Sequence, residues 1–261
     1  MAKRFHYLLL SAVLGFAAVA QAADEVKLLR ARSVISSKYG FVHQNATFDV
    51  KVRNLGYDKQ VVLHYREPDG AWQQTKLRYS HPTGPDSEVW LGHVARLDQR
   101  NGQPMSPASL EFSISYQVNG VEFRDDNHSR NYRIDSNEGE LLFDRVVYNS
   151  GYGPVLTNFY GNTLYGNVVL KNIAPEKSVQ VVYSVDNWQT VKLANANYSP
   201  YFWTGWYSWL PNPSPAGFEV WNYELDIGDA NRVDYAIRYG VAGQEYWDNN
   251  GGRNYRVEIM R

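Results

Sequence analysis

Phe123-Arg-Asp-Asp-Asn-His-Ser-Arg-Asn-Tyr132 returns later in the chain as Tyr246-Trp-Asp-Asn-Asn-Gly-Gly-Arg-Asn-Tyr255. Asp125 and Asp248 lie 123 positions apart (248 − 125), so the 261-residue chain reads as a tandem duplication whose copies can be compared position by position. Working outward from the motif, the matches stay collinear. Asn54 in Val50-Lys-Val-Arg-Asn54 pairs with Asn172, Trp72 with Trp188, Tyr79 with Tyr198, Tyr116-Gln-Val-Asn-Gly120 with Tyr239-Gly-Val-Ala-Gly243, and Asn131 with Asn254. Just before each motif, Leu110-Glu-Phe-Ser-Ile-Ser-Tyr116 and Val233-Asp-Tyr-Ala-Ile-Arg-Tyr239 place apolar or aromatic residues at alternate positions, the period of a half-buried strand. Past the N-terminus no helical period of comparable length appears. Short strands punctuated by Gly, Pro, Asn and Asp predict an all-β chain of two tandem immunoglobulin-like antiparallel β-sandwiches. They are expected over residues 23–135 and 142–261, joined by a linker at 136–141, because Asp135-Ser-Asn-Glu-Gly-Glu140 carries no apolar pattern.

Residues 1–22 have a basic start at Lys3 and Arg4, an apolar run from Leu8 to Ala20, and the small-residue pattern Ala20-Gln21-Ala22. That combination reads as a secretory signal peptide cleaved after Ala22, so the mature protein is expected to be secreted or periplasmic. The apolar run is too short for a membrane anchor, and nothing later approaches the roughly 20 apolar residues of a spanning helix. Losing Lys3 and Arg4 takes the formal net charge from −1 to −3, which gives nucleic acid or an anionic membrane surface no electrostatic reason to bind. With no cysteine in the chain, stability must come from the two cores. A calcium-loop reading of Asp248-Asn-Asn-Gly-Gly252 lacks the downstream bidentate Glu, and the first copy lacks the glycines, so neither metal nor cofactor is expected.

Eight Trp and 20 Tyr suit one chemistry in particular: an exposed ring stacks on the C–H face of a sugar while Asn and Asp bond its hydroxyls. Leu170-Lys-Asn-Ile173, Lys177, Asp186-Asn-Trp188 and Tyr246-Trp-Asp-Asn-Asn250 together resemble carbohydrate-binding module family 21, the starch- and glycogen-binding modules. The resemblance spans nearly the whole second copy and the first more loosely. It implies an immunoglobulin-like sandwich that binds α-glucan without cleaving it. Carried onto this chain, the family's principal site implies Trp188 and Trp247 for stacking and Asn172, Asn249 and Asn254 for hydroxyl groups, with Asp248 among them. The first copy keeps Trp72, Asn54 and Asn131 but has Arg124 and Asp126 where the ring and the asparagine belong, which predicts a weakened site. A second, shallower site of some family members is matched by Tyr57, Lys59 and Tyr79, with Trp72 counted beside them; the second copy offers Pro175, Lys177 and Tyr198.

The second copy also carries an insertion: Tyr198 to Trp221 spans 23 positions against 11 from Tyr79 to Trp90. Tyr201, Phe202, Trp203, Trp206, Tyr207 and Trp209 crowd into it, a patch expected to pack between the modules or to meet a ligand or partner. The leading expectation is therefore an exported, non-catalytic α-glucan-binding protein. Two alternatives stand beside it. One is a targeting or protein-interaction subunit that docks a secreted amylolytic enzyme. The other is a glycoside hydrolase, which needs two carboxylates about 5 to 10 Å apart across a cleft; Asp248 is its candidate acid, but an aspartate inside an Asx-rich turn is more often structural.

Overall fold

The computed structural model describes residues 20–21, 25–97, 106–151, 158–198, 200–203 and 209–259, and of 20–21, 97, 158, 201–203 and 209 the backbone alone. The remainder of the signal segment at 1–22 lies outside the described residues, as do Trp206, Tyr207 and the side chains of the other insertion aromatics.

Four sheets form two sandwiches. The outer sheet of the first holds Lys59–Arg66, Trp72–Lys76, Leu110–Val118, Val121–Asp125 and Tyr132–Ile134; its inner sheet runs Gly139–Leu142, Val26–Lys38, Phe41–Arg53, Ser87–Leu97, Arg78–Thr83. The second sandwich has an inner sheet of Val147–Asn149, Thr163–Lys171, Phe218–Asp226 and Asn197–Tyr198, and an outer sheet of Lys192–Asn195, Lys177–Ser184, Arg232–Val241, Gln244–Asp248 and Tyr255–Glu258. Asn158–Tyr160 adds to the former along Thr163–Lys171. All pairings are antiparallel except the short contact of Ala20–Gln21 with Val121–Asp125. Among the described residues no helix is long and apolar enough to cross a membrane.

The alternating stretches form strands as their period predicts, but they are covered on both faces, with Ser113, Ser115, Asp234 and Ala236 also buried. Leu110, Phe112, Ile114 and Tyr116 are fully buried against Phe48 and Val50, while Val233, Tyr235, Ile237 and Tyr239 are buried against Val168 and Leu170. At roughly 25 cal/mol per Å² of apolar surface, these two cores supply the burial that a chain without disulfides needs.

A third apolar cluster lies between the sandwiches. Leu29, Val89 and Leu142 from the first meet Tyr148, Val169 and Val220 from the second, so the two inner sheets pack outer face to outer face and the molecule is a stack of four β-layers. The joint also contains a buried ionic network. Arg30 Nε and Nη2 donate to Glu140 Oε2 and Oε1 at 2.7 and 2.9 Å, Arg30 Nη1 donates to Asp49 at 3.2 Å, and the Tyr148 hydroxyl donates to Asp49 Oδ2 at 2.8 Å.

This corrects the expected linker at 136–141. Gly139–Leu142 is a strand paired with Val26–Lys38, and Glu140 is 2 % exposed. The first sandwich thus runs past residue 135. The polar composition misled because Glu140 is solvated by Arg30 and Arg32 of the neighbouring strand rather than by water. The described part of the insertion leans on the same strand: Leu210 is buried, and the Ser214 and Leu210 side chains close over Gly139.

Candidate functional site

The two motif loops are built on one frame. Asp248 Oδ2 accepts from the Asn149 backbone N–H and from the Tyr255 hydroxyl, each at 2.7 Å; Asp125 accepts from the Leu28 N–H and the Tyr132 hydroxyl, again at 2.7 Å. Burial, together with the adjacent carboxylate, holds both tyrosine phenols above their ordinary range, so each stays a donor. Each aspartate therefore ties its loop to the first strand of its own sandwich. Asp248 is 5 % exposed and spends Oδ2 on two donors, which corrects its place among the sugar-binding residues: it lines the cleft beside Trp247 chiefly as the residue that positions the loop.

The next position caps the turn in both copies. Asn249 Oδ1 accepts from the Gly252 N–H at 3.0 Å, and Asp126 Oδ1 from the Ser129 N–H at 2.8 Å. Asn250 and Asn127 each donate Nδ2 to the carbonyl of the residue four further on, Asn254 and Asn131. Asn249 thus spends its oxygen on the turn and keeps its Nδ2 for a ligand. Asn254, half-buried with φ +57°, closes the loop.

The ring position shows the same economy. Trp247 Nε1 donates to Glu245 Oε1 at 2.6 Å, and Arg124 Nε donates to Glu122 Oε1 at 2.6 Å. The glutamate two residues earlier fixes either side chain. Trp247 is 46 % exposed on the edge strand Gln244–Asp248, opposite Arg238. With Asn249 it lines a cleft of about 680 Å³.

Trp188 stands on a separate turn beyond Lys177–Ser184. Asp186 accepts from the Thr190 N–H and the Ser184 hydroxyl, interactions that hold its carboxyl down to about 2, and the Trp188 N–H donates back to Ser184 Oγ at 2.8 Å. Asn187 and Trp188 take φ +60° and +65°, so the half-buried indole rides on a pinned turn. It lines neither this cleft nor the one that holds Asn172.

Asn172 belongs elsewhere than expected. Lys177 Nζ donates to Asn172 Oδ1 at 2.6 Å and to Glu219 Oε1 at 2.8 Å, while Trp221 Nε1 donates to Glu219 Oε2 at 2.8 Å. The first copy repeats the set: Lys59 Nζ to Asn54 at 2.5 Å and to Glu88 at 2.8 Å, with Trp90 Nε1 to Glu88 at 3.1 Å. Asn172 therefore shares a cleft of about 570 Å³ with Pro175, Tyr198 and Trp221 instead of joining Trp247. Lys59, expected in the second, shallower site, has a side chain only 7 % exposed in this pair with Glu88 and holds Asn54 from within. Tyr79 packs edge-on against Trp90 at 6.1 Å and is 53 % exposed; Tyr198 tilts on Trp221 at 5.6 Å and is 42 % exposed. Tyr57 is fully solvent-exposed on the loop before Lys59. Trp72, 49 % exposed, lies on the outer sheet, whereas Tyr79 lies on the inner one. Glu88 and Glu219 were missed by the sequence reading, although Glu88-Val-Trp90 and Glu219-Val-Trp221 repeat two residues apart and carry the signal.

Residues 155–258 match the family model of the carbohydrate/starch-binding module, family 21. The matched segment includes Asn172, Trp188, Tyr198, Trp247, Asn249 and Asn254; the first copy lies outside the match. The chain is 31% identical over 105 residues to glycogen-binding subunit 76A of Drosophila melanogaster, covering 40% of this chain and 14% of that one. It is 33% identical over 106 residues to glucoamylase 1 of Rhizopus oryzae, covering 40% and 16%. A third relative, GSY2-interacting protein PIG2 of Saccharomyces cerevisiae, is 24% identical over 192 residues, covering 63% and 32%. The chain thus spans less than a third of each of these proteins. Among solved structures it is similar to the starch-binding domain of Rhizopus oryzae glucoamylase in complex with β-cyclodextrin and maltoheptaose, at 25% identity over 46% of this chain and 99% of that one, with a TM-score of 0.33.

Proposed function

We propose that this chain is an exported, non-catalytic α-glucan-binding protein in which the second sandwich carries the principal sugar site. The observation that supports it most is Trp247: a half-exposed indole, pinned by Glu245, beside the free amide of Asn249 in an open cleft within the family 21 segment. That is a stacking face with an adjacent donor, the pairing a glucose ring requires. Tyr198 on Trp221 and Tyr79 on Trp90 offer shallower platforms on the two modules, and Tyr57 adds an exposed ring on the first. A hydrolase reading loses its candidate acid, because Asp248 is buried and engaged by two donors. Two modules on one polymer gain avidity where both reach the same chain, by about 10² to 10⁴. Export rests on the composition of residues 1–22. The test is a binding panel of amylose, glycogen, cellulose and chitin with the mature protein: retention on amylose and glycogen is expected, and retention on cellulose alone refutes the substrate class.

A targeting role is the second reading. Val191 and Leu193, 57 % and 59 % exposed at the edge strand Lys192–Asn195, give a partner protein an apolar strip, and several of the similar proteins are named as regulatory or interacting subunits. Capture of a secreted amylolytic enzyme that survives competing maltodextrin supports it, and capture abolished by maltodextrin reduces it to shared binding of sugar.

A further inference from the structure

The cleft beside Trp247 is not made by the second sandwich alone. Its lining also takes in Asp144 and Arg145, from the chain that joins the two halves, together with Lys171 and Phe218. At about 680 Å³ it falls within the 300–1,000 Å³ typical of small-ligand sites. Arg145 is held in place without being saturated: its guanidinium lies 5.0 Å over the Tyr148 ring, and Nη1 stands 3.9 Å from Asp248 Oδ1, beyond hydrogen-bond range. Lys171 is exposed at the end of its strand and forms no ion pair among the described residues. Asp144 is exposed, at φ +53°, and tied to Lys27 of the first sandwich.

We propose that this inter-module segment is a wall of the glucan site, so that an α-glucan chain stacked on Trp247 is also gripped by Arg145, Asp144 and Lys171; the proposal rests on the reading of Trp247 as a sugar platform. The chemistry of the wall favours a neutral polyol over an ion. Two cations, Arg145 and Lys171, face two carboxylates, Asp144 and Asp248, which leaves no net charge to attract an anion or a cation. Sugar hydroxyls both donate and accept, and so satisfy a fork, an ammonium and a carboxylate together. Because Asp144 is anchored to the first sandwich through Lys27, the cleft keeps its width only while the two sandwiches remain docked. Sugar binding and docking then favour each other reciprocally.

The chain has no cysteine, so Lys171→Cys places a single thiol in the lining of this cleft. Saturating maltoheptaose is expected to slow its reaction with a maleimide at least fivefold, while Ser37→Cys, at the exposed tip of the hairpin between Val26–Lys38 and Phe41–Arg53, reacts at one rate with or without sugar. Loss of maltoheptaose binding by Lys171→Cys at an unchanged unfolding midpoint also supports the wall. Unchanged labelling in a Lys171→Cys variant that still titrates maltoheptaose overturns it and leaves the Trp247 platform intact. Parental titration by Trp247→Ala removes the platform itself, and the wall falls with it.

Discussion

The loops at 123–132 and 246–255 are the same turn put to different uses. Both hang from a buried or half-buried aspartate bonded to a tyrosine seven residues on, both are capped by the next residue's side chain, and both fix the preceding long side chain to a glutamate. They part at the ring, at the cap, where Asn249 stands for Asp126, and at the tip. Trp247 gives the second loop a stacking face where the first has Arg124. Gly251 and Gly252 replace His128 and Ser129, a change that serves the joint between the sandwiches. Gly251, at φ +68°, lies directly on Gly84 of the first sandwich, where a Cβ would come within 2.6 Å of the Gly84 nitrogen. Around it the Gly84 N–H donates to the Asn250 carbonyl at 2.9 Å, Asn250 Nδ2 donates to the Pro82 carbonyl at 3.2 Å, and Arg253 Nη1 donates to the Gly84 carbonyl at 3.1 Å. A duplicated turn has become a sugar platform on one flank and an inter-module joint on the other. His128 stays exposed because no module docks against its loop.

The largest effect on this comparison is expected at the joint's charged core. Glu140→Ala leaves Arg30 buried without its bidentate partner and is expected to destabilise by about 3–5 kcal/mol, read by denaturant unfolding. Gly251→Val drives a branched side chain into Gly84 at a left-handed backbone position; a loss of about 2–3 kcal/mol and separation of one unfolding transition into two are expected by calorimetry, whereas His128→Val, also left-handed but open to solvent, keeps one transition. Tyr255→Phe strips a donor from a 5 %-exposed carboxylate and is expected to lose about 1–3 kcal/mol, more than Tyr132→Phe beside the half-buried Asp125.

A further effect concerns pH. His81 lies in the strand that leads into the joint, its ring 6.5 Å from that of Tyr255, and burial pushes its pKa down from 6.5 to about 4. A folded-state value below the unfolded one means the native protein binds fewer protons. The stabilisation is thus present above about 6.5 and is lost as the pH falls from there through about 4. The unfolding midpoint of the parent is expected to fall across that window more steeply than that of His81→Gln.

Much of this was legible beforehand, and the reasons differ by residue. The alternation at 110–116 and 233–239 specifies strands because burial on one face is a property of the strand itself. The repeated aspartate, tyrosine and asparagines announced a turn because their bonds close within ten residues. Glu140, Gly84 and Arg145 were silent. Each acts through a partner from a distant strand or from the other sandwich, and local composition carries no trace of such partners. Asn172 was misplaced for a related reason: Lys177, drawn inward by Glu219 42 residues away, holds it apart from Trp247, as Glu88, 29 residues from Lys59, draws in that lysine beside Asn54.

The central claim is that the shared turn carries a principal sugar site only where tryptophan replaces arginine. Isothermal titration of the full chain with maltoheptaose, comparing Trp247→Ala with Arg124→Ala, tests it most directly. Affinity is expected to fall at least tenfold for Trp247→Ala and less than twofold for Arg124→Ala; a Trp247→Ala protein that titrates like its parent contradicts the account.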